Sequence, residues 1–201
     1  MLCNDAKLEQ ATEDGGQTWQ NASTGYSGAQ VIGVAVDPFD PSHVYATGRS
    51  GSWVSQDGGV SWNGVANPEQ SGSLTGTECG SVGVDPGTEG YVILSCYSGF
   101  FTLDSETKRW RHDPIPDGIH PGTSEIEFAP SDPRTVYVTS ASHNTMIHAE
   151  VYEAGWGILA SRDGGATWEA ITGEAFKDAI VTDVAIDPKD ADVVYAAAQN
   201  G

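Results

Sequence analysis

Along this chain, apolar residues alternate with small or polar ones in short runs that break at a turn and then resume. Four runs end on an Asp-Pro step or its substitute: Val36-Asp37-Pro38, Val84-Asp85-Pro86, Phe128-Ala129-Pro130 and Ile186-Asp187-Pro188. Eight residues after the Asp position stand Tyr45, Ile93, Tyr137 and Tyr195, each preceded by a valine. Alternation of period two into a proline turn, followed by a Val-Tyr run, predicts an antiparallel hairpin at each of the four places.

A second repeat interleaves with the first. Thr12 to Trp19, Ser55 to Trp62 and Ser161 to Trp168 all read Ser/Thr-x-Asp-Gly-Gly-x-Ser/Thr-Trp. Asp-Gly supplies the positive φ of a tight hairpin, and the carboxylates of Asp14, Asp57 and Asp163 are placed to hold nearby turn amides. The tryptophan is then expected to bury its indole beside the turn. A degenerate fourth copy, Leu103 to Trp110, keeps the tryptophan but has Ser105 at the Asp position, so its turn must be held differently. From the Val-Tyr position to the tryptophan is 17 residues in modules one and two and 31 in module three, a 14-residue insertion.

Each module is thus strand one into Asp-Pro, strand two through Val-Tyr, strand three into Asp-Gly-Gly, and strand four from the tryptophan. Four antiparallel strands repeated at roughly 40 to 50 residues are the signature of β-propeller blades. The predicted fold is all-β, one propeller domain over residues 1–201 with about four blades. The last module holds strands one and two, and the segment up to Trp19 is a hairpin without them. N-terminal strands are therefore expected to complete the last blade and leave no open edge. Two alternatives stay open: a piece of a longer array, or two copies joined head to tail in an eight-bladed ring.

Charge and composition narrow the function. Nine basic against 28 acidic residues give a net charge of −19, which argues against nucleic acid and anionic membranes as partners. An acidic surface that keeps the protein soluble is the plain explanation. With 25 Gly and 10 Pro, turns dominate, and no apolar run is long enough to span a membrane. The segment Met1-Leu2-Cys3-Asn4-Asp5 has no charged, apolar leader, so an export signal is not expected within this chain. Pairing Val84 near Val92 across their turn places Cys79 almost opposite Cys96, within disulfide reach, with free buried thiols as the alternative. Cys3 is then left over. Asn21-Ala22-Ser23 fits a glycosylation sequon, a triplet common by chance.

The interleaved Asp-Pro and Asp-box modules resemble the BNR/Asp-box propellers: the xyloglucanase-type glycoside hydrolases of family 74, the sortilin/Vps10 ectodomain, the photosystem II assembly propellers and, more distantly, sialidases. The resemblance covers nearly the whole chain. It implies that the Asp-box residues Asp14, Trp19, Asp57, Trp62, Trp110, Asp163 and Trp168 are structural and lie away from the ligand face. A sialidase is rejected, because Arg49, Arg109, Arg111, Arg134 and Arg162 make no arginine triad and no Phe-Arg-Ile-Pro segment is present. The texture of Val34 to Pro41 is closest to the xyloglucanase type, which resembles paired seven-bladed domains, each giving one catalytic Asp to a shared cleft. Four residues past the Tyr position, where such an Asp is sought, stand Arg49, Tyr97, Ala141 and Gln199. The catalytic pair does not carry over.

The face opposite the Asp-Pro and box turns gathers the longer loops and is the expected ligand face. It brings together Tyr26, Tyr97, Phe100, His112, His120, His143, His148, Glu150, Tyr152 and Trp156. Tyr26, Tyr97, Tyr152 and Trp156 are the candidate sugar-stacking residues, although Tyr152 and Trp156 serve as well to pin the insertion to its blade. His143 and His148, five apart with no third ligand, make a poor metal site, and no metal or cofactor is expected. Glu125 and Asp183 share a register four residues before the Asp-Pro position, on inner strands of neighbouring blades. A gap of roughly 6.5 to 9.5 Å between them would suit an inverting glycosidase. The expected function is a secreted or periplasmic glycan- or protein-binding propeller, able to form a homodimer. The alternative is a xyloglucanase-like hydrolase, degenerate or completed by a partner, with Glu125 and Asp183 as its catalytic pair.

Overall fold

The computed structural model describes residues 10–21, 24, 30–68, 73–74, 77–113, 116, 125–139, 157–171, 173–176 and 179–199. Among them the regular structure is β-strand apart from one 3-10 turn at Glu174–Phe176. A hairpin of β1 (Gln10–Ala11) and β2 (Gln20–Asn21) comes first. Blade one follows as β3 (Val31–Val36), β4 (Val44–Gly48), β5 (Gly51–Ser55) and β6 (Asn63–Gly64). Blade two is β7 (Cys79–Val84), β8 (Val92–Cys96), β9 (Gly99–Leu103) and β10 (Trp110–Asp113); blade three is β11 (Ile126–Phe128), β12 (Val136–Thr139), β13 (Ile158–Ser161) and β14 (Glu169–Ala170). β15 (Ile180–Asp187) and β16 (Asp190–Gln199) form a last hairpin. Within each blade, strands neighbour one another in chain order, and the pairing is antiparallel.

The register follows from the turns. Val36 lies opposite Val44, Val84 opposite Val92 and Phe128 opposite Val136, so each Asp-Pro turn closes the hairpin that the alternation predicts. The carboxylate of Asp37 accepts the amide of Phe39 at 2.9 Å, and Asp85 and Asp187 accept Gly87 and Lys189 at 2.8 Å each. Blade three has Ala129 there; Asp132 substitutes by accepting the Thr135 hydroxyl at 2.8 Å. Cys79 faces Cys96 across β7 and β8 and is bonded to it, as expected.

Both faces of a blade are apolar because each packs on another sheet, so the core is a series of seams. Blades one and two meet through Tyr45 and Val54 on one side and Val92, Leu94, Phe101, Leu103 and Trp110 on the other. Ile93 and Phe100 of blade two meet Ile126, Phe128, Val136, Leu159 and Trp168 of blade three. Tyr137, Ile158 and Ala160 of blade three meet Val181, Val184, Val194 and Ala196 of the last hairpin. Between blades two and three the side chain of Ile126 lies directly over Gly83, where a Cβ would stand 2.6 Å from its Cγ2. Only a missing side chain lets β7 and β11 pack at that distance.

The β-propeller class holds; pairing of the N-terminal strands with the last hairpin is not seen among the described residues. β1 and β2 form one two-stranded sheet and β15 and β16 another, with no hydrogen-bonded pairing between them among the described residues. Tyr195 is 66% exposed, whereas its counterparts Tyr45 and Tyr137 are 3% and 1% exposed, and Val34 and Val36 are also more than half exposed. Among the described residues there are three full blades with a two-stranded hairpin on either side of them in the chain.

Candidate functional site

The box turns are hydrogen-bonded within themselves. Asp57 accepts the Ser55 hydroxyl and the Ser61 amide at 2.8 Å each and also the Ser61 hydroxyl, while Trp62 donates its indole N–H to the Gly59 carbonyl at 3.1 Å. Asp163 repeats the pattern with Ser161 at 2.9 Å and the Thr167 amide at 2.8 Å. Hydroxyl and amide donors from Thr18 and Ser61 hold Asp14 and Asp57 at a pKa of about 2. At Asp163 burial pushes upward, but Thr167 and Ser161 outweigh it and the carboxyl stays below its ordinary value. In the degenerate copy Asp104, one position earlier, takes over by accepting the amides of Glu106 and Thr107 at 3.1 and 2.6 Å. Lys108 closes that turn at φ 53°, whereas the intact boxes put their positive φ on the two glycines, at positions held here by Glu106 and Thr107.

Packing decides what the tryptophans do. Trp168 stacks on Phe100 of the preceding blade at 4.4 Å, and Trp110 meets Tyr45 edge-on at 6.4 Å. Trp62 is 6% exposed, but Trp19 is 58% exposed, against expectation. No described blade precedes the first hairpin, so its indole has no neighbouring face to cover it.

On the inner strands the register places Gly33, Ser81, Glu125 and Asp183 at equivalent points. A β-bulge between Val181 and Asp183 turns β15 so that the Val184 amide reaches Oε2 of Glu125 at 3.4 Å, and Glu125 and Asp183 hydrogen-bond through their side chains. The structure thus joins the pair as the register foresees, but more closely than the water-wide gap of an inverting glycosidase. Burial first, then Asp183, raise the pKa of Glu125 to about 7. Glu127, which sequence reasoning passed over, is also raised, by burial and then by the charge of Asp183. Its signal was the alternation itself: Glu125, Glu127 and Asp183 line one seam.

Of the loop-face aromatics, Tyr97 stands on the turn between β8 and β9 and is 47% exposed. Phe100 is buried under Trp168, while His112 stacks on Phe101 at 4.7 Å and lies 2.9 Å from the Ser98 carbonyl, so these two residues are structural. Tyr26, His120, His143, His148, Glu150, Tyr152 and Trp156 lie outside the described residues. On the opposite face, the seam between blades one and two opens into a groove of about 390 Å³ lined by Asp37, His43, Tyr45, Glu89, Lys108 and Trp110, among others. The equivalent seam beside intact box three leaves about 240 Å³. There Gly165 packs against Ile93 and Thr102. The degenerate box lacks that Gly-Gly pair, and this was the one sign of the groove in the sequence. No group of three or more His, Cys, Asp or Glu side chains suited to a metal ion occurs among the described residues.

The chain matches no protein-family model, and no curated protein matches it. Solved structures do. An ancestral GH74 enzyme is similar at 20% identity over 90% of this chain and 23% of its own, with a TM-score of 0.68. The GH74 xyloglucanase from Xanthomonas campestris is 18% identical over 96% of this chain and 29% of its own, at 0.58. YCF48 from Cyanidioschyzon merolae is 14% identical over 96% of this chain and 61% of its own, at 0.57. Identities this low establish the shared β-propeller fold. The chain spans under two thirds of the length of each of these three proteins.

Proposed function

We propose that this is a secreted or periplasmic Asp-box propeller segment that binds a glycan or a protein on the face opposite its box turns. The observation that carries the reading is the division of polar chemistry between the two faces. Box carboxylates are consumed by their own turns, whereas the loop face presents the exposed ring of Tyr97. Glu125, Glu127 and Asp183 line the inner strands near that face. An exposed aromatic ring suits stacking against a sugar ring or a peptide side chain. Structural likeness to a GH74 xyloglucanase and to a YCF48 described as bound to a D1 peptide makes both ligand classes reasonable. The Cys79–Cys96 bond fits an oxidising compartment, and an extracellular domain from B. thetaiotaomicron is among the similar structures.

Affinity electrophoresis of the chain on β-glucans, with Tyr97→Ala, Tyr152→Ala and Trp156→Ala, tests the glycan arm. Retention lost on removing an aromatic supports it, and unaltered mobility on every glycan defeats it. A hydrolase is the second reading, favoured by one observation: a carboxyl near pKa 7 suits a general acid at neutral pH. Sustained release of reducing ends, abolished by Glu125→Gln or Asp183→Asn, would replace binding with catalysis.

A further inference from the structure

On the box-turn face, the seam between blades one and two and the seam between blade three and β15–β16 are built alike but finished differently. Tyr45 of blade one and Tyr137 of blade three hold the same place, eight residues past the Asp-Pro position or its substitute. In blade three the tyrosine is fully engaged: its hydroxyl donates to the Ala191 carbonyl at 2.7 Å, and the Arg162 guanidinium lies over its ring, 5.5 Å from the centroid. Asp192 completes that arrangement by pairing with Arg162 at 2.7 Å. Arg162 is the second residue of its box, and the matching residue in blade one is Gln56. No arginine covers Tyr45. This residue is 3% exposed, its hydroxyl carries no hydrogen bond among the described residues, and it lines the groove of about 390 Å³.

The groove holds what a guanidinium needs. Asp37 and Asp40 from the Asp-Pro turn of blade one and Glu89 from that of blade two line it, together with the rings of Tyr45 and Trp110. Aromatic faces attract cations, and more strongly where water is excluded. Asp40 is committed to Ser42 and His43, at 2.6 and 2.8 Å, whereas Glu89 is exposed and makes no ion pair among the described residues. Glu89 stands one residue before the place that Asp192 holds in the other seam. Burial first, then the charges of Asp37 and Asp40, raise the pKa of Tyr45 to about 12, so its hydroxyl stays protonated within the field of these carboxylates. One cation is already at the rim: Nζ of Lys108 stands 2.6 Å from where a Cβ on Gly90 would be. Its charge opposes a second cation but faces three carboxylates. We propose that this groove binds the guanidinium of an arginine side chain presented by a peptide or protein partner, held over Tyr45 as Arg162 is held over Tyr137 and paired with Glu89 as Arg162 is with Asp192. A net charge of −19 draws basic segments toward the chain, and the groove gives one of their side chains a place to dock. The site lies on the face opposite the proposed ligand face, so either can fail without the other.

Titration of the chain with Nα-acetyl-arginine amide, followed through the NMR shifts of backbone and indole N–H groups, is the test, with the citrulline and lysine amides as controls. Saturable shifts centred on Tyr45, Gln56, Glu89 and Trp110 are expected, with a Kd on the order of 1 mM, the scale of one side chain's contacts. Citrulline keeps the shape without the charge and should bind roughly tenfold more weakly. Lysine, which lacks the planar fork, should also bind more weakly than arginine. Lys108→Gln should strengthen binding about two- to fivefold, and Glu89→Gln should weaken it by about as much, the effect of one exposed charge in each case. Gln56→Arg should abolish binding of the free amide, because the chain then fills the groove from the position that blade three uses. All three side chains are exposed, and unchanged shift dispersion would show that folding is intact. Shifts that never saturate or that scatter over the acidic surface, equal binding of citrulline or lysine, indifference to Gln56→Arg or Glu89→Gln, or weaker binding on Lys108→Gln would each overturn the guanidinium site.

Discussion

Gly83→Ala tests whether the seam between blades two and three is set by the packing of Ile126 and Phe128 onto bare backbone. A Cβ at this position would stand 2.6 Å from Ile126 Cγ2, 2.9 Å from Ile126 Cβ and 2.9 Å from Phe128 Cε2. Carbon atoms prefer separations of about 3.5 to 4.0 Å. The strands must therefore part by roughly 1 Å or the two side chains must leave their rotamers, an overpacking that costs about 2 to 3 kcal/mol. In a domain of this size such a loss lowers Tm by about 4 to 12 °C. Ile126→Ala alone should cost about 2 to 4 kcal/mol, since Ile126 is 6% exposed. Because that truncation removes the nearest clashing methyl, the double variant should fall short of the sum by at least about 1 kcal/mol. Gly58→Ala is the control: it has nothing within 4 Å but a φ of +72°, so its strain of about 1 kcal/mol should add to Ile126→Ala without coupling. Urea unfolding of the three single and two double variants measures both cycles. Additivity within about 0.5 kcal/mol for Gly83 and Ile126 would refute close strand approach as the reason for this glycine.

Three further outcomes are expected. Glu125 binds its proton more tightly in the folded chain than in the unfolded one, so stability falls as pH rises from the unfolded value, 4.5, through about 7. Glu125→Gln should flatten that fall and raise Tm at pH 8, and thermal melts at pH 4, 6 and 8 showing parallel profiles would contradict it. Replacing Cys79 and Cys96 by serine opens a loop with a separation of 17 residues and should cost about 3 kcal/mol by loop entropy, visible as a lower urea midpoint. Asp57→Ala should lower Tm more than Asp14→Ala, because Ser55 and Trp62 of its turn are buried in blade one whereas Trp19 is exposed. Equal losses would assign both turns the same structural weight.

What the sequence determined by itself was everything carried by local repetition. Alternation into Asp-Pro, the Val-Tyr runs and the Asp-Gly-Gly-x-Ser/Thr-Trp turns specify hairpins through short-range backbone geometry, and Cys79 and Cys96 follow from register alone. The same regularity placed Glu125 beside Asp183. Tertiary structure decided what depends on the neighbouring sheet. Whether Trp19 is covered, whether Phe100 faces solvent or Trp168, how close two carboxyls come across a bulged strand, and whether the ends meet are all set by packing between blades. A repeat specifies each blade and the two faces it must bury. It says nothing of which sheet covers the last face, because complementary edges look alike whether they belong to one chain or to two.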